Sequence, residues 1–187
     1  MKKFYGFTLL ELMVVLAIIA ILTTLAAPSF TQLIQSNTIS SNVNTFLADM
    51  RFARSESIRR GGGVVMCRSD APEAVNPTCG SGSGPGGHGW VSGWIIFQDW
   101  DNDGVQDTDE PLLRVKSPIT SMDSIKEGDG TTSTQFRFTA TGRLSTLTTP
   151  LQFGGSNYAS DVQRLVCVGL GGRARIASPG TVDCGNQ

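Results

Sequence analysis

Apolar positions crowd the start of the chain and later break up into short runs. From Phe7 to Ala27 only Thr8, Glu11, Thr23 and Thr24 interrupt the apolar side chains. As a helix this stretch measures about 31 Å, the thickness of a hydrocarbon core. Pro28 follows; it lacks an amide donor, so the helix is expected to bend or melt locally there. Beyond it, Phe30, Leu33, Ile34, Val43, Phe46, Leu47, Met50, Phe52, Ala53 and Ile58 recur mainly at three- and four-residue steps. That spacing predicts a second, amphipathic helical length over residues 29–60, with one face against a head. Arg59 and Arg60 suit a helix C-terminus and Gly61-Gly62-Gly63 stops it. From residue 61 to 187 the pattern is β-type, with strands expected near Val64–Arg68, Gly93–Gln98, Leu112–Lys116, Thr134–Phe138, Leu151–Phe153, Arg164–Val168 and Arg173–Ala177. The expected fold class is α+β: a long, proline-kinked, transmembrane N-terminal helix packed on an antiparallel β-sheet head.

Composition adjusts this picture in two ways. The 187 residues hold 15 basic and 16 acidic side chains, which excludes a globally basic nucleic-acid binder. The charges are nevertheless segregated, with nine acidic and three basic residues from Asp99 to Asp129, and five arginines against Asp161 and Asp183 from Thr131 onward. Such a chain can present a cationic patch at one end. Four cysteines stand at 67, 79, 167 and 184, with no C-x-x-C pair and a single histidine, His88, which argues against structural zinc. Outside the cytoplasm they are expected to form disulfides. Sequence proximity favours Cys67–Cys79 and Cys167–Cys184 among three formal pairings. Each would add about 3 kcal/mol in the chain-entropy model.

Glu11 decides how the apolar stretch is read. A secretory signal would need a small-residue cleavage site, and Ala26-Ala27 is spoiled by Pro28. A plain anchor leaves the acid unexplained, because a carboxylate within the membrane costs about 2.5–3.5 kcal/mol on insertion scales and calls for a partner. Lys2 and Lys3 ahead of the run place the N-terminus in the cytoplasm and the head outside. The run Gly6-Phe7-Thr8-Leu9-Leu10-Glu11 resembles the class III signal of type IV pilins and type II secretion pseudopilins. That resemblance implies a leader of residues 1–6, cut by a prepilin peptidase between Gly6 and Phe7, and N-methylation of Phe7. It implies a polymerisation helix over 7–28 and a periplasmic head over 29–187. Glu11 would then offer its charge to its own or a neighbour's new amine among stacked helices, fixing axial register. A proline at the position of Pro28 also belongs to the pattern.

The head carries two sets of residues with chemistry of their own. Asp99, Asp101, Asp103, the Val105 carbonyl, Asp107 and Glu110 match the calcium-loop pattern of an EF-hand through its twelfth position. The flanking segments are strand-like rather than helical, so a solvated acidic turn competes with a calcium site, while the clustered carboxylates would repel without a cation. The Gly- and Ser-rich stretch Gly80–Gly89 around His88 reads as an exposed, flexible hairpin loop without catalytic accompaniment. No Gly-x-Ser-x-Gly, phosphate loop or metal triad is present, so an enzyme is not expected and neither is a small-molecule substrate.

Over its whole length the chain resembles FimT/FimU minor pilins and the related pseudopilin H, the GspH-like domain. The shared features are the Gly93–Phe97 strand, the turn ending in Glu110-Pro111-Leu112-Leu113-Arg114-Val115, the step Phe138–Arg143, and the late Arg164-Leu-Val-Cys-Val168 followed by Gly172-Arg173-Ala174-Arg175. The resemblance implies a minor type IV pilin, held as a single-pass protein in the inner membrane and later on the pilus at the cell surface. Its expected partners are other major and minor pilins. The alternatives are a type II secretion pseudopilin H and a dedicated DNA-receptor pilin. Arg173 and Arg175, two apart on a strand, share a face, and with Arg143 or Arg164 they would form a phosphate-binding cluster. In FimT-like proteins the Gly-Arg-x-Arg motif is associated with DNA binding in natural transformation; pairing with a neighbouring pilin's acidic residues is the competing role.

Overall fold

The computed structural model describes residues 6–127, 134–146, 149–177 and 184, without the side chains of 25–29. Lys2, Lys3, Asp129 and Asp183, and the side chains of Ala26, Ala27 and Pro28, thus lie outside the described residues. A single helix, α1 (Leu9–Arg60), runs for 52 residues, about 78 Å at 1.5 Å per residue. It continues through Pro28 without a break, so the expected local melting there is not found. Its start is fixed by a reciprocal box. The Glu11 amide donates to the Thr8 hydroxyl, and the Glu11 carboxylate accepts from the Thr8 amide at 2.9 Å and its hydroxyl at 3.0 Å. At the other end Gly61 adopts φ 80° and closes the helix on Ser57.

Only the later part of α1 packs on the head. Ile39, Val43, Phe46, Leu47, Met50, Ala53 and Ser57 are buried on one face, and the Gln35 side chain donates to the Asn157 carbonyl of the head. Phe30, Leu33, Ile34 and Ile58, expected on the packed face, are exposed instead. Periodicity locates a face but not where the neighbour on that face ends.

Among the described residues eight strands follow: β1 (Val64–Arg68), β2 (Trp94–Gln98), β3 (Leu112–Lys116), β4 (Ser124–Glu127), β5 (Gln135–Phe138), β6 (Leu151–Gly154), β7 (Arg164–Gly169) and β8 (Arg173–Ile176). They form two antiparallel sheets, in the orders β3-β2-β1-β5 and β4-β6-β7-β8. Alternation along the strands sends one set of side chains to a shared core with α1, including Val64, Met66, Ile96, Phe136, Phe153, Val166 and Val168. Phe46 is its hub, with edge-on contacts to Trp90, Trp94, Phe136 and Phe153 at 5.5–5.9 Å between ring centres.

The opposite face of each sheet carries a smaller cluster and a disulfide. Val65, Cys67, Ile95 and Phe97 are covered by Cys79, bonded to Cys67. Leu165, Cys167 and Ala177 are covered by Cys184, bonded to Cys167. The two bridges are the ones that sequence proximity favours.

Two polar networks are built into the head. The Asp49 carboxylate of α1 accepts from Trp94 Nε1 at 2.8 Å and from Arg114 at 2.6 Å, while the Arg114 guanidinium lies 3.8 Å above the Phe52 ring. Arg68, only 1% exposed, pairs with Asp70 and donates to the Ser81 and Gly82 carbonyls. The stretch Gly80–Gly89 is therefore not a free hairpin. Arg68 ties its first half down, and its end is stitched to β4 through the Ile125 amide and the His88 carbonyl.

Candidate functional site

The free length of α1 is the first functional element. Phe7, Leu9, Leu10, Leu12, Met13, Val14, Val15, Leu16, Ile18, Ile19, Ile21 and Leu22 are all exposed, Phe7 by 85%. They cover every side of the helix, which is the surface of a rod made to be surrounded by apolar neighbours. Among the described residues no helix is long and apolar enough to cross a membrane; the described side chains of the apolar length end at Thr24, about 22 Å beyond Leu9. Glu11 is the acid within this rod, and its Oε2 already serves Thr8. The Thr-x-x-Glu spacing is the signal that would have revealed this N-terminal box, and with it Thr8, from the sequence alone.

The arginines fall into two groups. In β8 Arg173 and Arg175 pair with Gly169 and Cys167 of β7, so both stand on the outer face with the Cys167–Cys184 bridge. Both are exposed. Arg175 donates to the Cys184 carbonyl at 2.9 Å, whereas Arg173 has no side-chain partner among the described residues. The turn bearing Arg143 adjoins this group. Leu144 bonds the Leu170 carbonyl, and a Cβ on Gly172, whose φ is 68°, would run into the Gly142 carbonyl. That close approach explains the glycine of the Gly-Arg-x-Arg run. Arg164 is not brought to them. By strand parity it lies on the core side of β7 with Val166 and Val168, and its guanidinium is bound to the Asp161 and Gln163 carbonyls.

The acidic turn joins β2 to β3 at the end of the head nearest Gly61–Gly63. Asp99, Asp101 and Asp103 come together, with one carboxylate oxygen from each within 4.8 Å of the others. Asp99 is 2% exposed, and burial pushes its carboxyl above the usual range despite backbone donors and the nearby Arg137 charge. The Gly104 amide donates to Asp99 Oδ2 at 2.9 Å; with φ 84°, Gly104 supplies the left-handed step that this closure requires. Asp107 and Glu110, expected as ligands, do not join the trio. Both Glu110 oxygens are taken by backbone, accepting from Trp100 at 2.6 Å and Asp107 at 3.1 Å, so the residue clasps the loop shut. Arg137 braces the outside of the loop through the Asn102 and Asp103 carbonyls. Beside the turn lies a cleft of about 490 Å³ lined by Arg60, Gln98, Asp99, Asn102 and Arg137 among others.

Residues 42–172 match the family model described as type II transport protein GspH. The chain belongs to the GspH family. In this GspH-family chain residues 1–27 also match the model of the prokaryotic N-terminal methylation motif. Its fold is similar to that of the type IV minor pilin FimU of Pseudomonas aeruginosa (strain PAO1), with a TM-score of 0.53 at 18% sequence identity over 76% of this chain and 90% of that one. No curated protein matches the chain in sequence. It is thus a pilin-like chain of the GspH family, whose role is structural rather than enzymatic and whose members associate with other pilins.

Proposed function

We propose that this chain is a minor type IV pilin that enters the initiating or tip complex of a pilus through its N-terminal rod. A prepilin peptidase cuts between Gly6 and Phe7 and methylates Phe7; the rod over 7–28 holds the protein in the inner membrane with the head in the periplasm until assembly. The observation that carries this reading is the fully exposed apolar rod with one acid near its start, joined to a methylation-motif match over residues 1–27. Stacked rods bury that surface, and Glu11 then meets the new amine of a packed subunit. The test replaces Glu11 by Gln and Gly6 by Ala, reading the N-terminal mass and the number of pili. Loss of cleavage in Gly6→Ala and loss of pili in Glu11→Gln are expected. Normal pili carrying an intact leader overturn the reading. If the neighbouring genes encode a secretin and secretion ATPase rather than pilins, the filament is the short one of type II secretion.

A second reading concerns DNA. The exposed side chains of Arg173 and Arg175 share a face, and the turn bearing Arg143 packs against Gly172 at the start of their strand. Such a cluster suits duplex phosphates, with weak, sequence-independent and salt-dependent binding. Full-length protein in detergent is expected to retard duplex DNA at low salt, and Arg173→Ala with Arg175→Ala to abolish the shift. Unchanged retardation in the double variant assigns those arginines to a neighbouring pilin instead.

A further inference from the structure

We propose that Asp99, Asp101 and Asp103 form a binding site for a single calcium ion, which locks the β2–β3 turn to the C-terminal end of α1. An acidic cluster alone would not carry this, because exposed carboxylates are common and hydrate freely. The deciding observation is one oxygen. Asp99 Oδ1 is sealed from solvent and has no hydrogen-bond partner, while the carboxyl group that bears it faces Asp101 and Asp103. Buried polar oxygens are almost always satisfied, and a charged one left bare is costly. A cation held by the trio satisfies it.

The remaining geometry selects the ion. Each aspartate spends one oxygen on the loop's own backbone: Asp99 Oδ2 accepts from Gly104, Asp101 Oδ1 from Asp103, and Asp103 Oδ1 from Val105. This fixes the three carboxyl groups and leaves the other oxygen of each to a ligand. All donors are oxygens, which suits a hard divalent cation rather than zinc or copper. Oxygens 2.3–2.6 Å from a shared calcium stand at most about 5 Å apart, and the trio spans no more than 4.8 Å. In the loop pattern the Val105 carbonyl and water complete the shell. Six acidic residues from Asp99 to Glu110 outweigh the neighbouring guanidinium groups of Arg137 and Arg60. Because the Asp99 amide donates to the Gly63 carbonyl at 2.7 Å, an ion at Asp99 also fastens the strand end to the chain leaving α1. With Glu110 held by backbone, affinity falls in the range of extracellular modules, about 10⁻⁴–10⁻³ M.

The experiment uses the full-length chain in detergent micelles. Terbium is titrated as a luminescent substitute for calcium, sensitised by Trp100 between two of the ligands, and then competed with calcium. Melting midpoints are compared in 5 mM calcium and in EDTA. Expected are saturation at one terbium per chain, displacement by calcium, and a midpoint higher in calcium by about 2–8 °C. Asp101→Asn with Asp103→Asn changes two exposed positions and should weaken binding at least tenfold while keeping the EDTA midpoint; should that double variant not fold, Asp101→Asn alone gives the same readout. Asp109→Asn removes a charge from the same turn outside the trio and should leave binding intact. Luminescence that never saturates, a midpoint indifferent to calcium, a trio variant that binds normally, or equal weakening by Asp109→Asn each overturns the site.

Discussion

The two lengths of α1 both carry apolar residues, far more densely in the first than in the second, and they do opposite things. The described apolar side chains before Gln35 stand exposed on every side of the helix; from Ile39 to Ala53 most of them line one face and vanish into the core around Phe46. The difference lies in the neighbours rather than in the helix. The head offers a preformed aromatic nest to the later length, while the earlier length finds no such nest among the described residues. Stability of the fold therefore resides in residues 39–57, whereas assembly, on the proposed function, falls to the residues before Gln35.

That division is easiest to break at Phe46. Phe46→Ala empties the centre of the nest and should destabilise the head by about 3–5 kcal/mol, whereas Leu16→Ala should leave its melting midpoint unchanged. Calorimetry on both variants in detergent decides; equal losses would abolish the distinction. A smaller loss, about 1–3 kcal/mol, is expected for Asp49→Ala, which strands the buried Trp94 donor; chemical unfolding measures it.

The smallest effect sits at the helix end. Hydrogen bonds from Arg59 first, then Arg60, hold the Glu56 carboxyl down at about 2, against an ordinary value of 4.5. A carboxyl lowered on folding stabilises the folded chain above its unfolded value, and that contribution drains away as pH falls through the folded one. The midpoint gap between wild type and Glu56→Gln should thus be widest near pH 6 and narrow from about 4.5 toward 2. With Arg59 on the surface, the effect stays below about 1 kcal/mol. A gap that widens on acidification contradicts the assignment.

Local pattern made much of this architecture legible. The helix end at Arg60, the strand positions of β1 to β3 and of β5 to β8, and the nearness of each cysteine to its partner are all written in the order of residues. What escaped depends on contacts distant in sequence. β4 holds one strongly apolar residue, Ile125, in four, and is a strand only because β6 pairs with it and Gly89 bridges to it. Arg68 looks like a surface residue until its buried guanidinium is seen gathering the loop from Gly80. Arg164 resembles its fellow arginines in sequence, and only the pairing register of β7 with β8 turns it to the other face. At the acidic turn the pattern named six ligands. Three converge; Glu110 is diverted because two backbone amides reach its carboxylate first.

Both covalent bridges join cysteines downstream of α1, one on the outer face of each sheet. Neither therefore carries tension applied along the rod. A pull on a filament built from such subunits would be resisted by packing and hydrogen bonds between α1 and the head, from Gln35 and Ile39 toward Gly61. The sulfur clamps would keep the flanks of the head in shape while the load passed through the aromatic contacts of Phe46.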